Sequence, residues 1–211
     1  MSALRPLELP CIDSYSGLHL AIPAHRGFVE GDPRLRDGYR FHRIEEVQGV
    51  SLVAPIATVL DHLGMCASPL GQLAAIDAAL HEGRLSLDDI RTFSATPLRR
   101  TLWLASNAEP LTQSPRETKA RIELIAAGYA VEPQAELPGV GHVDFLVEST
   151  VVVECDGFTY HGDEEAFIED RRRDRACELL GYRRLRYTGS EVEQSRGRIA
   201  ADVRRMLAER G

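Results

Sequence analysis

Several titratable side chains lie close together within residues 151–167, which read VVVECDGFTYHGDEEAF. Glu154, Asp156, His161 and Asp163 follow directly on a run of β-branched residues. Carboxylates at the end of a strand can hold a divalent cation against a phosphodiester, because hard Mg²⁺ prefers oxygen ligands. His161 can exchange protons near neutral pH, since the ordinary pKa of histidine is about 6.5. Asp163 is most simply explained as the N-cap of the helix that follows.

Another acid, Asp144, lies in the strand-like segment 142–148, HVDFLVE. A tight turn near Ser149 would pair this segment antiparallel with the strand predicted over 150–155. Position 144 then faces position 154, since the two numbers sum to twice 149, and both side chains should emerge on the same side of the sheet. Either acid alone is more often a satisfied polar residue, but together Asp144 and Glu154 indicate a metal site.

Periodicity and capping residues predict the elements that position these side chains. Ser114, Pro115 and Glu117 match an N-cap, a first helical position and the third position of a capping box. Glu117 therefore also has a purely structural interpretation. The predicted order is a helix over 115–127, strands over 129–137, 142–148 and 150–155, a helix over 163–181, a strand over 183–188 and a helix over 199–210.

The first half of the chain has a different pattern. Short strand-like pieces at 18–23 and 38–44 predict a small β-rich region, and from Ala54 onward apolar residues recur at helical spacing. Ser86 can cap one of these helices. Residues 94–113 show weaker periodicity, so we interpret them as a linker between two modules.

Composition narrows the class of protein. The chain has 211 residues and a formal net charge of −7, which argues against a generic basic protein that coats DNA. No stretch approaches the ~20 apolar residues of a membrane span, and the N-terminus lacks a signal-peptide pattern, so we expect a cytoplasmic protein. Four widely spaced cysteines suggest buried free thiols rather than a zinc ribbon or redox pair.

Arginine dominates the basic residues, and Lys119 is the single lysine. We predict that a cluster on the 163–181 helix contacts DNA phosphates; it consists of Arg171, Arg172, Arg173 and Arg175. Arg183, Arg184 and Arg186 follow nearby. The alternative is a solvated helix face on which acids and arginines pair.

Several of these motifs together resemble a known family. SPRE, HVDF, VVVECDGFTYHGD and FIEDRRRDRACELLGYRRLRYT look like the Vsr-like (very-short-patch-repair) branch of the PD-(D/E)XK nuclease superfamily, over residues 114–211. The resemblance implies an α/β fold of restriction-endonuclease-like type, with a mixed sheet flanked by helices. It also implies a Mg²⁺-dependent phosphodiester cleavage site, for which Mn²⁺ is an alternative cofactor.

The same resemblance implies roles for individual residues. Asp144 would be the principal metal ligand, with Glu154 and the Cys155 carbonyl completing the metal site. His161 would handle protons, and Asp156 would bind metal or orient the histidine. Glu117 would point into the site from its helix.

One feature departs from the broader superfamily. A lysine is expected two residues after Glu154, where this chain has Asp156. Lys119 is a poor substitute, because it lies two residues from Glu117 and so about 200° around the helix. The Vsr-like branch uses a histidine in place of this lysine, which fits His161.

Residues 1–113, a small β-rich and helical region, resemble the middle of proteins with abortive-infection type IV antitoxin (AbiEi-like) domains. A winged helix usually precedes these residues in that arrangement, and we see none, so a separate DNA-reading module is not expected. Two functions follow as hypotheses. One is a Mg²⁺-dependent DNA endonuclease of repair or phage defence; the other is a catalytically silent DNA-binding or toxin–antitoxin regulatory module. The expected partners are DNA and either a toxin–antitoxin or homo-oligomer partner, without a membrane.

Overall fold

The computed structural model describes residues 1–14, 17–25, 38–45, 54–156 and 164–208, apart from the side chains of residues 156 and 164–167. The chain divides into two compact units, Met1–Pro110 and Leu111–Gly211. The predicted division at 113/114 lies close to this boundary, but the AbiEi-like and Vsr-like identities of the two parts stay predictions.

A two-stranded parallel sheet opens the first unit. Strand β1 (Leu18–Pro23) pairs with β2 (Tyr39–Ile44), so that Leu18 lies opposite Tyr39. A glycine precedes each strand, and both have positive φ. A Cβ on Gly17 would overlap the carbonyl of Gly38, so the two backbones can approach this closely only without a side chain.

Four helices complete the first unit: α1 (Ile56–Leu63), α2 (Pro69–His81), α3 (Leu87–Arg91) and α4 (Leu98–Asn107). The predicted cap on Ser86 is present, and it forms a full capping box with Asp89. Helix α4 lies inside the 94–113 segment that we interpreted as a linker, and this helix was not predicted, although the boundary between the two units also falls within the segment. Leu104 explains the difference, since it is fully buried and attaches the helix to the core.

The second unit has the predicted α/β architecture, and the fold class is confirmed. Helix α5 (Pro115–Ala126) precedes a four-stranded mixed sheet in the order β3-β4-β5-β6. The remaining elements are β3 (Val131–Leu137), β4 (Gly141–Val147), β5 (Val151–Asp156), α6 (Glu164–Leu179), β6 (Arg183–Thr188), α7 (Gly189–Glu193) and α8 (Arg198–Ala208). Helix α7 was not predicted, although Thr188 and Glu191 form its capping box.

The turn between β4 and β5 sets the register that matters for the site. Glu148 and Ser149 both have positive φ, and the N–H of Thr150 donates to the carbonyl of Val147. The strands pair antiparallel, with Val147 opposite Val151, and the residue numbers of each pair sum to 298, as predicted. β5 lies between β4 and β6 and is central in the sheet, whereas β3 is an edge strand, where proline is tolerated.

Both faces of this sheet are covered. One apolar cluster joins α5, α7 and α8 to the sheet through residues that include Leu124, Phe145 and Val203. The other joins the sheet to α6 through Leu146, Val152 and Cys177. Among the described residues, no helix is long and apolar enough to cross a membrane.

Candidate functional site

The regular alternation of side chains between the two faces of the sheet is interrupted at one point in β3 and β4. Phe145 packs into the cluster beneath α5, but Val143, two residues away, packs into the cluster beneath α6. Successive odd positions of a regular strand would share a face. The break lies at Gln134 and Asp144, between the paired positions 133↔145 and 135↔143. Gln134 has a φ of 49°, a left-handed conformation that is costly for a side chain of this kind.

Asp144 is half-buried at this break and binds the neighbouring strand through its side chain. Its Oδ2 accepts a hydrogen bond of 2.7 Å from the backbone N–H of Cys155. A carboxylate that accepts a backbone N–H is held in one orientation. Asp144 and Cys155, both predicted site residues, are therefore in direct contact.

Glu117 reaches the same region from the first turn of α5. It is 6% exposed, and its Oε2 accepts hydrogen bonds from the Gln134 side chain at 3.1 Å and from the backbone N–H of Gln113 at 3.0 Å. The N-cap half of the predicted capping box is present, since Ser114 accepts from the N–H of Glu117. The Glu117 carboxylate is thus directed to Gln113 and to Gln134, the residue opposite Asp144.

Gln134, which was not singled out from the sequence, donates a hydrogen bond to the candidate site residue Glu117. Its side chain links α5 to the break, and its backbone carbonyl lies 3.4 Å from His142 Nδ1. A glutamine in a strand carries no sequence signal for a positive φ. Only its position opposite Asp144 gives it a role.

Glu154 is engaged by arginines on the α6 side of the sheet. It is 7% exposed, and its Oε2 accepts a 2.6 Å hydrogen bond from Nε of Arg184. Arg173 of α6 and Arg186 of β6 each approach its carboxylate at 3.4 Å. Its predicted roles in metal binding and catalysis stay predictions, but its charge is already balanced in this arrangement.

Two acids of α6 extend the ion-pair network around Glu154. Asp170 receives two hydrogen bonds from Arg186, the shorter of 2.6 Å, and Asp174 pairs with Arg184. The hydrogen bond from Arg186 lowers the pKa of Asp170 below its ordinary value. Arg184 and Arg186 of β6 therefore bind the acids of this unit, instead of extending only to solvent as a phosphate-binding cluster would.

The predicted DNA-binding arginines lie in different environments. Arg171 pairs with Asp174 at 3.3 Å, and Arg172 pairs with Glu169 at 2.6 Å. Arg172 also donates to the carbonyl of Gly139. Such exposed pairs contribute little to stability and can exchange for a phosphate.

Of these four arginines, Arg173 and Arg175 differ most in their ion pairing. Arg173 contacts Glu154 and donates to the carbonyl of His142, so its guanidinium is engaged by groups within the domain. Arg175 is exposed and makes no ion pair within the described part of the chain. A cavity of about 450 Å³ beside it is lined by Arg171, Arg175, Arg183 and Arg184, among other residues.

The donor atoms near the break are oxygens, the type of ligand that a hard cation prefers. Glu117 and Asp144 supply carboxylate oxygens and Cys155 a carbonyl, the ligands that Mg²⁺ prefers. Within the described ranges, Glu117, Asp144 and Glu154 do not bring ligand atoms of all three within 4.8 Å of one another. The Asp156 side chain and His161 lie outside the described residues. Lys119 donates to the carbonyl of Glu193 in α7, as expected for a residue that points elsewhere.

The second unit is similar to a known nuclease family. Residues 117–207 match the family REase_MTES_1575, which is restriction-endonuclease-like. This match supports a nuclease of PD-(D/E)XK type for that part of the chain. The Vsr-like branch and the AbiEi-like upstream region stay predictions.

The chain also resembles a mycobacterial protein over most of its length. The chain is 25% identical over 177 residues to "Uncharacterized protein Rv2248" of Mycobacterium tuberculosis, an alignment that covers 78% of this chain. The chain spans 65% of the length of that relative. No solved structure matches the chain significantly.

Proposed function

We propose that the chain is a Mg²⁺-dependent DNA endonuclease that hydrolyses phosphodiester bonds. The observation that carries the proposal is the Asp144 carboxylate, held at the break in the sheet against the N–H of Cys155. The restriction-endonuclease-like match over residues 117–207 supports the same reaction class. DNA repair and phage defence are the biological settings in which such an activity would serve.

Asp144, Glu117 and the carbonyl of Cys155 would hold the metal ion. When bound, Mg²⁺ supplies positive charge that stabilises the charge developing on phosphate oxygens. The hydrogen bond from Cys155 orients Asp144, and the Gln134 side chain orients Glu117. Glu154 would join this set only by giving up part of its contact with the arginines around it.

The proton transfers are assigned to His161, with Asp156 as its orienting partner or as a metal ligand. Hydrolysis needs a group that removes a proton from the attacking water, and a histidine can do this at neutral pH. Lys119, the other basic group with a suitable chemistry, is engaged with Glu193. His161 therefore has no lysine substitute in this chain.

The phosphate backbone of DNA would be held by the exposed arginines of α6. Arg175 is the first candidate, because it is exposed beside a cavity lined by further arginines. Arg171 and Arg172 can exchange their exposed acid partners for phosphates. Arg173 could contribute only by leaving Glu154.

The decisive experiment is cleavage of supercoiled, nicked and mismatched plasmid DNA by the purified full chain. We expect nicked or linear products with Mg²⁺ or Mn²⁺ and none with EDTA, measured on agarose gels. The Asp144→Ala variant prepared in parallel identifies any contaminating nuclease. Wild-type protein that cleaves none of these DNA forms with either metal would contradict the proposal.

A second function is favoured by the arginines that surround Glu154. A carboxylate already balanced by Arg173, Arg184 and Arg186 suits a module that keeps the nuclease fold without turnover. Such a module would bind DNA, or act as a toxin–antitoxin regulator, alone or as a homo-oligomer. Metal-independent DNA binding without cleavage on any plasmid form would select this function.

A further inference from the structure

Three potential metal ligands meet in the first unit, far in the sequence from the carboxylates described above. His19, His42 and Cys66 each offer one ligand atom, and these three atoms all lie within 4.8 Å of one another. The residues come from β1, β2 and the turn that follows α1. This cluster brings together three segments of the chain.

The two imidazoles of this cluster face each other through nitrogen atoms. His19 Nδ1 and His42 Nε2 are 2.9 Å apart. Tetrahedral zinc with Zn–N bonds of ~2.0–2.1 Å separates two ligand nitrogens by ~3.3 Å. An outward shift of ~0.4 Å would therefore convert this contact into a pair of ligands.

A third histidine, His62, lies beside the cluster, and two buried imidazole nitrogens there have no hydrogen-bond partner within the described ranges. The ring of His62 lies edge-on to that of His42, with centroids 5.7 Å apart. Nδ1 of His42 and Nδ1 of His62 are both buried, and neither has a hydrogen-bond partner within the described ranges. Buried polar atoms without partners are costly and call for an explanation. His42 is 7% exposed, so solvent gives its ring little compensation.

The chemical state of the histidines suits metal binding. Burial lowers the pKa of His19 to about 4 and the pKa of His42 to about 4. Burial also lowers the pKa of His62. All three rings are therefore neutral at pH 7, which is the form that coordinates a metal.

A metal ion at this cluster would also stabilise the local fold. β1 and β2 form a sheet of two strands with six residues each, and so small a sheet is marginal on its own. The α-amino group and Arg40 lie near the histidines and oppose a hard cation held by charge alone. Imidazole and thiolate ligands favour a borderline-soft ion, because they bind it through nitrogen and sulfur.

We propose that His19, His42 and Cys66 bind a structural transition-metal ion, Zn²⁺ by ligand type, that fastens β1 and β2 to the end of α1. The fourth tetrahedral position faces His62 or solvent. This site is independent of the nuclease proposal, because its ligands lie in the first unit and its metal prefers nitrogen and sulfur.

The test uses the untagged full chain with Zn²⁺ and Co²⁺ as probes. We expect one zinc per chain by elemental analysis after growth with zinc. Cobalt substitution should give a thiolate-to-cobalt charge-transfer band and the visible bands of a tetrahedral ion. Zinc should also raise the melting temperature of wild-type protein.

Variants assign the ligands. Cys66→Ala should lose the charge-transfer band, and His42→Ala should weaken cobalt binding more than about 100-fold, since losing even an outer-shell partner costs 10–100-fold. His81→Ala and Cys177→Ala serve as controls that should bind like wild type. Cys66 is half-exposed, so its variant keeps the test valid if His42→Ala fails to fold. Wild-type protein without zinc and without the cobalt bands, or unchanged bands in Cys66→Ala, would overturn the proposal.

Discussion

Asp144 and Glu154 lie on neighbouring strands at facing register positions, yet their surroundings differ. Asp144 is half-buried at a break in the sheet, and its side chain accepts the backbone N–H of Cys155. Glu154 is buried on the α6 side, and three guanidinium groups approach its carboxylate. Two acids with the same apparent role in the sequence therefore face different chemistry. The difference teaches that the register of two strands does not by itself determine which groups surround a carboxylate.

Among the variants considered, the loss of the Asp144 carboxylate should have the largest effect on cleavage. Asp144→Ala should abolish metal-dependent cleavage and Mg²⁺ binding, because it removes a direct ligand of a weakly held hard cation. Plasmid cleavage and calorimetric Mg²⁺ titration measure the two losses. Glu136→Ala, which changes an exposed acid on β3, is the matched control and should behave like wild type. Cleavage at the wild-type rate by Asp144→Ala would remove Asp144 from the site.

His161 tests whether proton transfer is separable from metal binding. His161→Ala should reduce cleavage by about 10²–10⁴-fold, the usual contribution of a positioned general acid or base, and leave Mg²⁺ affinity nearly unchanged. Single-turnover rates and the same Mg²⁺ titration measure both quantities. His25→Ala removes an exposed histidine elsewhere and should have no effect. An unchanged rate in His161→Ala would contradict the catalytic assignment.

Glu154 should show its effect first in stability. Glu154→Gln removes the charge that balances Arg173, Arg184 and Arg186, so the free energy of unfolding should fall by about 3–5 kcal/mol in the absence of metal. Urea unfolding followed by circular dichroism measures this change. Glu178→Gln on the exposed face of α6 should change stability by less than about 0.5 kcal/mol. A Glu154→Gln variant as stable as wild type would show that the arginine contacts do not hold the domain together.

The smallest expected effect distinguishes two arginines of one helix. Arg175→Gln should lower the salt dependence of DNA binding by about one unit of slope, as for the loss of one phosphate contact. Arg173→Gln should instead reduce stability, because its partner Glu154 is buried. Fluorescence anisotropy at several salt concentrations measures the slopes. Equal slopes for wild type and Arg175→Gln would assign Arg175 to the solvated face of the helix.

Much of the fold was predictable because its signals are local. The β4–β5 turn, with positive φ at Glu148 and Ser149, lies where the two apolar runs meet, and it determines the pairing of Phe145 with Val153. Ser86 and Ser114 cap their helices as predicted, since a cap depends on residues three positions away. Helix α4 was missed because its attachment depends on the burial of Leu104, which weak periodicity does not reveal.

The sequence by itself predicted the order of the strands in the second unit, the register of β4 with β5 and the acids near the end of the sheet. Only the tertiary structure decided which of these acids is balanced by arginines, because the partners of Glu154 lie 19, 30 and 32 positions away in the chain. It also decided the break at Gln134 and Asp144, since the left-handed Gln134 contacts Glu117 of α5 and His142 of β4, which are distant in the sequence. Local interactions specify caps and turns, whereas the environment of a buried charge depends on which distant elements pack against it.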